Sequence, residues 1–149
     1  MSRRGFTIIE LLAVFAIIAV LATLAMPKLT DATRKATAAK VIGDVNAIRH
    51  AAFDVNGATG SWPATGAEGQ APPAMVNSLP GGFQFTEGSV TYRWRSWALP
   101  DGLPGSPSDS VLVGVEVSTS DEGLMASIKR LYRGPLAFGT STRVTFVVQ

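Results

Sequence analysis

Between Phe6 and Met26 the chain reads FTIIELLAVFAIIAVLATLAM, apolar throughout except at Thr7, Glu10 and Thr23. At the helical rise of about 1.5 Å per residue this run extends about 31 Å, close to the hydrocarbon thickness of a bilayer. It has neither the alternation of a half-buried strand nor the polar stripe of a surface helix, so it predicts a membrane-crossing helix. Arg3 and Arg4 lie in the short basic segment 1–5 that precedes it. By the positive-inside rule they hold that end in the cytoplasm and leave the bulk of the chain beyond the membrane.

Pro27 follows directly, removes one backbone donor and favours a bend or a looser turn. Past it the pattern becomes amphipathic: Leu29, Ala32, Ala36, Ala39, Ile42, Val45 and Ala52 recur at steps of three and four. Lys28, Asp31, Arg34, Lys35, Lys40, Asp44 and Arg49 fall mainly between them. The simplest reading is one helix from near Phe6 to about Phe53, with residues 6–26 in lipid and 27–55 as a spine packed on a head. Asn56-Gly57 and Gly60 are its stop signals.

Residues 57–82 are dominated by Gly, Ala, Pro and Ser, with Trp62-Pro63 as the anchor. A connection of that length is unusual in a compact domain and points to an interaction surface. From Phe83 the signal is β. Val90, Tyr92 and Trp94 alternate with Thr91, Arg93, Arg95 and Trp97; Val111–Val117 and Arg143–Val148 read as further strands. Ser120 has the chemistry of an N-cap ahead of Asp121 and Glu122, and Leu124, Ile128 and Leu131 share one face of the short helix that follows. Gly134-Pro135 stops it. The expected fold is α+β: a long N-terminal helical spine on a small antiparallel sheet with one short helix, the head occupying 56–149.

Composition removes most catalytic chemistry. There is no cysteine, and His50 is the single histidine. Disulfides, thiolate nucleophiles, Cys-based zinc sites and multi-His sites therefore have nothing to build on. Gly102-Leu103-Pro104-Gly105-Ser106 is a turn without the nucleophile-elbow pattern. We expect no catalytic residue, no cofactor and no metal; an enzyme is not expected. Thirteen basic residues face eleven acidic ones, and the excess disappears once Arg3 and Arg4 are set aside, so charge alone gives no case for nucleic acid. Arg93, Arg95 and Trp97 share a strand face that could bind DNA or a partner subunit, although a solvated face is the simpler account.

The chemistry-bearing segment is Arg3-Arg4-Gly5-Phe6-Thr7-Ile8-Ile9-Glu10-Leu11-Leu12. An acid at the centre of a membrane helix costs about 2.5–3.5 kcal/mol on insertion scales, and one near the end costs less but still needs a partner. Cleavage after Gly5 would create an amine on Phe6, four residues before Glu10, and in a helical filament a neighbour's amine could serve as that partner.

Here the chain resembles the type IV pilins and the pseudopilins of type II secretion systems. The likeness covers about the first third: the basic leader ending in Gly5, the aromatic Phe6, Thr7, the Ile8-Ile9 pair, Glu10, Leu11-Leu12 and Pro27 at the family spacing. The resemblance implies cleavage between Gly5 and Phe6 by a membrane-embedded prepilin peptidase, N-methylation of Phe6, and an assembly role for Glu10. It implies other pilin or pseudopilin subunits and an inner-membrane assembly platform as partners, with membrane lipid around the helix before assembly. The location implied is single-pass in a bacterial inner membrane, N-terminus cytoplasmic and head periplasmic, then a periplasmic filament. Leu79-Pro80-Gly81-Gly82-Phe83 has the flavour of minor, secretion-type members. Major pseudopilins hold calcium in an acidic loop, but Asp101, Asp109, Asp121 and Glu122 are scattered and lack ligand spacing.

Two other readings compete. A minor pilin could carry a head that captures DNA or a surface ligand. Ser2-Arg3-Arg4-Gly5-Phe6 also matches the start of a twin-arginine export signal. The apolar run exceeds the usual ~7–15 residues of such a signal, and the helical pattern continues past it where a cleavage site should stand.

Overall fold

The computed structural model describes residues 6–99, 111–134 and 136–148. Helix α1 spans Ile8–Thr59 without interruption, through Pro27. A 3-10 turn at Pro73–Met75 precedes strands β1 (Thr86–Glu87), β2 (Val90–Ala98) and β3 (Val111–Thr119). Helix α2 (Glu122–Leu131) and strands β4 (Ala137–Gly139) and β5 (Arg143–Val147) complete the chain. Among the described residues the sheet is antiparallel, in the order β1-β2-β3-β5-β4. The fold is α+β, a long helix on a small sheet with one further short helix.

α1 extends past the expected end near Phe53 because Asn56-Gly57 is absorbed into its last turn. The chain turns at Gly60, whose φ of 73° is the left-handed cap a glycine adopts freely, and its N–H bonds Asn56 O at 2.7 Å. The buried face of α1 is Ala38, Val41, Val45, Ile48, Ala52 and Val55, at steps of three and four. It meets the inward residues of the sheet: Tyr92 and Trp94 from β2, Val113, Val115 and Val117 from β3, Val144 and Phe146 from β5. Those positions alternate because a pleated strand sends every second side chain to one face.

Several expectations need correction. Leu29, Ala32, Ala36 and Ala39 are exposed, so the spine meets the head only from about Arg34 onward. Periodicity marks an apolar stripe but not what covers it. α2 is capped by Asp121, not Ser120: Asp121 Oδ1 accepts from Leu124 N at 3.0 Å, and Thr119 Oγ1 accepts from Asp121 N. Its buried face is Leu124, Met125 and Ile128, while Leu131 is 46% exposed. The helix stops at Leu131, with Tyr132 already extended, before Gly134 is reached. Between Phe83 and Ser89 only Thr86–Glu87 is strand; Phe83 and Phe85 instead form an aromatic cluster with Tyr92.

The Gly- and Pro-rich connection has a structural task. Trp62 lies on Trp94 and against Phe53, and Trp94 Nε1 donates to Pro63 O at 2.9 Å. Gly66 N and Gly69 N donate to Trp94 O and Tyr92 O, and Thr65 Oγ1 bonds both N and O of Ser96. Residues 65–69 thereby seal the edge of β2 that β1 is too short to cover, removing a row of unpaired backbone groups. This edge accounts for part of the connection's length.

Candidate membrane and assembly segment

Among the described residues nothing covers the apolar half of α1. Phe6 is 79% exposed, Leu29 is 66% exposed, and every residue between them is exposed. Among the described residues α1 is the helix long and apolar enough to cross a membrane, and none of its apolar window is buried. Large apolar side chains left open over such a length require lipid or other helices as their surroundings.

The polar groups of this segment are satisfied locally. Thr7 is the N-cap, and with Glu10 it forms a reciprocal capping box. Thr7 N and Thr7 Oγ1 donate to Glu10 Oε2 at 2.9 and 2.7 Å, and Glu10 N donates to Thr7 Oγ1 at 3.4 Å. The carboxylate therefore folds back over the positive end of its own helix, where the backbone dipole favours it. The Thr-x-x-Glu spacing of a capping box stands in the sequence at Thr7 and Glu10. Thr23 Oγ1 donates to Val20 O and Thr30 Oγ1 to Met26 O, which removes the hydroxyl penalty on either side of Pro27. α1 continues through Pro27 with no break in helix.

Residues 1–26 match the family model of the prokaryotic N-terminal methylation motif.

The chain thus carries the type IV pilin and pseudopilin signal, at the head of a helix that fits a single membrane crossing. No curated protein and no solved structure gives a match. The methylation motif covers residues 1–5, Phe6, Glu10 and most of the exposed run, and stops just short of Pro27. Gly5, Arg3 and Arg4 lie outside the described residues, as do Asp101 and Asp109.

The head places the remaining candidates apart. On the outer face of the sheet, Arg93 Nε donates to Gly66 O at 3.0 Å. Arg95 pairs with Glu116 at 3.5 Å and stacks 5.1 Å above Trp97. Glu116, 6% exposed, also faces Arg143 at 3.6 Å, and Arg143 reaches Glu68 at 3.5 Å. The strand face of Arg93, Arg95 and Trp97 is thus bound into an intramolecular network. Asp121 accepts from Arg34 Nε at 3.1 Å besides capping α2, and these contacts hold its carboxyl below the usual range, the Leu124 N–H being the larger cause. Glu122 is exposed in the first turn beside it. Among the described residues no three His, Cys, Asp or Glu side chains gather as metal ligands. His50 is exposed on α1.

Sequence reasoning also missed Tyr92–Asp44. Tyr92 OH donates to Asp44 Oδ2 at 2.7 Å, and Lys40 bridges Asp44 and Glu87. Burial, reinforced by Asp44, pushes the Tyr92 hydroxyl far above its ordinary pKa. The link joins spine to sheet across a separation that no local pattern encodes.

Proposed function

We propose that the chain is a non-enzymatic filament subunit, a pseudopilin or minor pilin of a type II secretion pseudopilus or type IV pilus. The observation that carries this reading is an uncovered apolar half-helix whose first residues match the methylation motif. Prepilin peptidase cuts between Gly5 and Phe6 and Phe6 is N-methylated. The helix then waits in the inner membrane with its head in the periplasm, until an assembly platform moves it into the filament. There, sister helices replace lipid around residues 6–26.

Glu10 has two states in this mechanism. In the lone subunit its carboxylate rests on Thr7, which satisfies it inside lipid. In the filament it turns to the Phe6 amine of a neighbour, and the charge pair sets register. Pro27 sits where the helix leaves lipid; the carbonyl it strips of a donor makes this the turn that yields during extraction.

The absence of cysteine and the small, loop-bound head favour a minor or secretion-type subunit over a major adhesive pilin. Mass spectrometry of the mature N-terminus tests the proposal. The first residue is N-methyl-Phe6; a mature chain beginning anywhere else overturns it, and a start beyond Met26 supports twin-arginine export.

A further inference from the structure

α1 and α2 enclose a groove of about 300 Å³ lined by Lys35, Ala38, Ser127, Arg130, Leu131 and Arg133. Its floor is apolar and its rim carries three cations, none of which forms an ion pair among the described residues. Arg34, next to Lys35, is already held by Asp121. Lys129 on α2 turns away, donating to Thr140 O on the far side. Leu131, exposed at the lip, gives the groove an apolar edge beside its charges.

The position matters as much as the charge. Ala38 is the first buried residue of α1, so this groove lies at the end of the head nearest the apolar run. Lys35 lies nine residues past Met26, about 13 Å further along the axis. The headgroup layer takes up about 5–7 Å of that distance. The remainder is within one Debye length of about 8 Å at physiological salt. Helical side chains also tilt toward the N-terminus, which here is toward the membrane.

We infer that, before assembly, the groove of Lys35, Arg130 and Arg133 docks the head onto anionic phospholipid headgroups of the leaflet it emerges from. An amphiphile with a phosphate beside an apolar body matches a cationic rim with Ala38 beneath it and Leu131 at its lip better than an acidic peptide does. The inference rests on the membrane reading of residues 6–26. Leaving the membrane for the filament would then break these contacts, so headgroup charge sets how firmly the stored subunit is held.

The test uses the full chain in nanodiscs, one copy per disc. The chain has no cysteine, so Ala126→Cys, at an exposed position on α2, accepts a single donor dye. Energy transfer to a headgroup-labelled lipid is compared in phosphatidylcholine and in phosphatidylglycerol-rich discs. Transfer is expected to be higher in the anionic discs and to fall with added salt. Each cation near the surface multiplies the docked fraction's ratio about fivefold, so Lys35→Gln/Arg130→Gln/Arg133→Gln should lower that ratio on the order of 100-fold. The charge-preserving set Lys35→Arg/Arg130→Lys/Arg133→Lys should keep it. Equal transfer in both lipids, or no response to neutralisation, overturns the inference. So does transfer that follows the number of chains per disc, which would mean the groove meets a second copy. A chain that fails to co-purify with the discs overturns this inference and the membrane reading together, whereas failure of docking alone leaves the latter standing.

Discussion

Truncating two apolar residues of similar size on one helix separates stripe from core. Ile48 is fully buried against the sheet, and Leu29 is 66% exposed on the stalk. Ile48→Ala removes three carbons, about 2.4 kcal/mol of transfer free energy at about 0.8 per CH₂. The unrelaxed hole adds a cavity contribution of about 24 cal/mol per Å³, which brings the total to about 3–4 kcal/mol, inside the usual range for such changes. Alanine's better helix propensity returns only a few tenths of a kcal/mol. With a urea slope of about 1.5 kcal/mol/M, the midpoint falls by about 2 M. Leu29→Ala leaves it within about 0.5 kcal/mol of wild type, as exposed substitutions do. The assay is urea unfolding of the full chain in detergent micelles, followed by tryptophan emission, since Trp62 and Trp94 report the core. Equal destabilisation by the two changes would refute the division of α1 near Ala38 into stalk and spine.

The remaining predictions concern charges. Glu10→Ala should leave membrane insertion intact and impair incorporation into filaments; Thr7→Val should weaken helix start in the lone subunit while leaving the acid free for a neighbour, measured by amide exchange at residues 8–10 and by pulldown of assembled filaments. The Asp121 carboxyl is lowered in the folded chain, so its support for α2 is present above the ordinary carboxylate pKa and is lost as pH falls through the folded value. Protection of the Leu124 amide should drop over that acidic window, and Asp121→Asn should abolish the pH dependence. Tyr92→Phe removes a hydrogen bond to a carboxylate, worth about 1.5–3 kcal/mol when buried. Because Lys40 still satisfies Asp44, the loss in urea unfolding is expected near the lower end. Glu116→Gln leaves Arg95 and Arg143 without their shared counter-charge, and the loss of stability should shrink at high salt because both arginines are partly exposed.

The apolar run and the methylation motif at its start were legible in the chain because membrane partition and motif recognition both act on contiguous residues. The same holds for β2, whose alternation from Val90 is local, and for Gly60, whose left-handed turn ends α1. The capping box is equally local, since Thr7 and Glu10 are one helical turn apart. By contrast, β1 and β4 are too short to carry a period, and they exist because β2 and β5 offer edges to pair with.

The sequence by itself determined a greasy helix that must leave water and the methylation motif at its start. Tertiary structure alone decided which part of the apolar stripe is core, because burial depends on what lies opposite. It also decided that Arg93 and Arg95 are held within the head while Lys35, Arg130 and Arg133 rim a groove beside the stalk. Charge pairing depends on distances between residues far apart in sequence, and only the folded head brings them together.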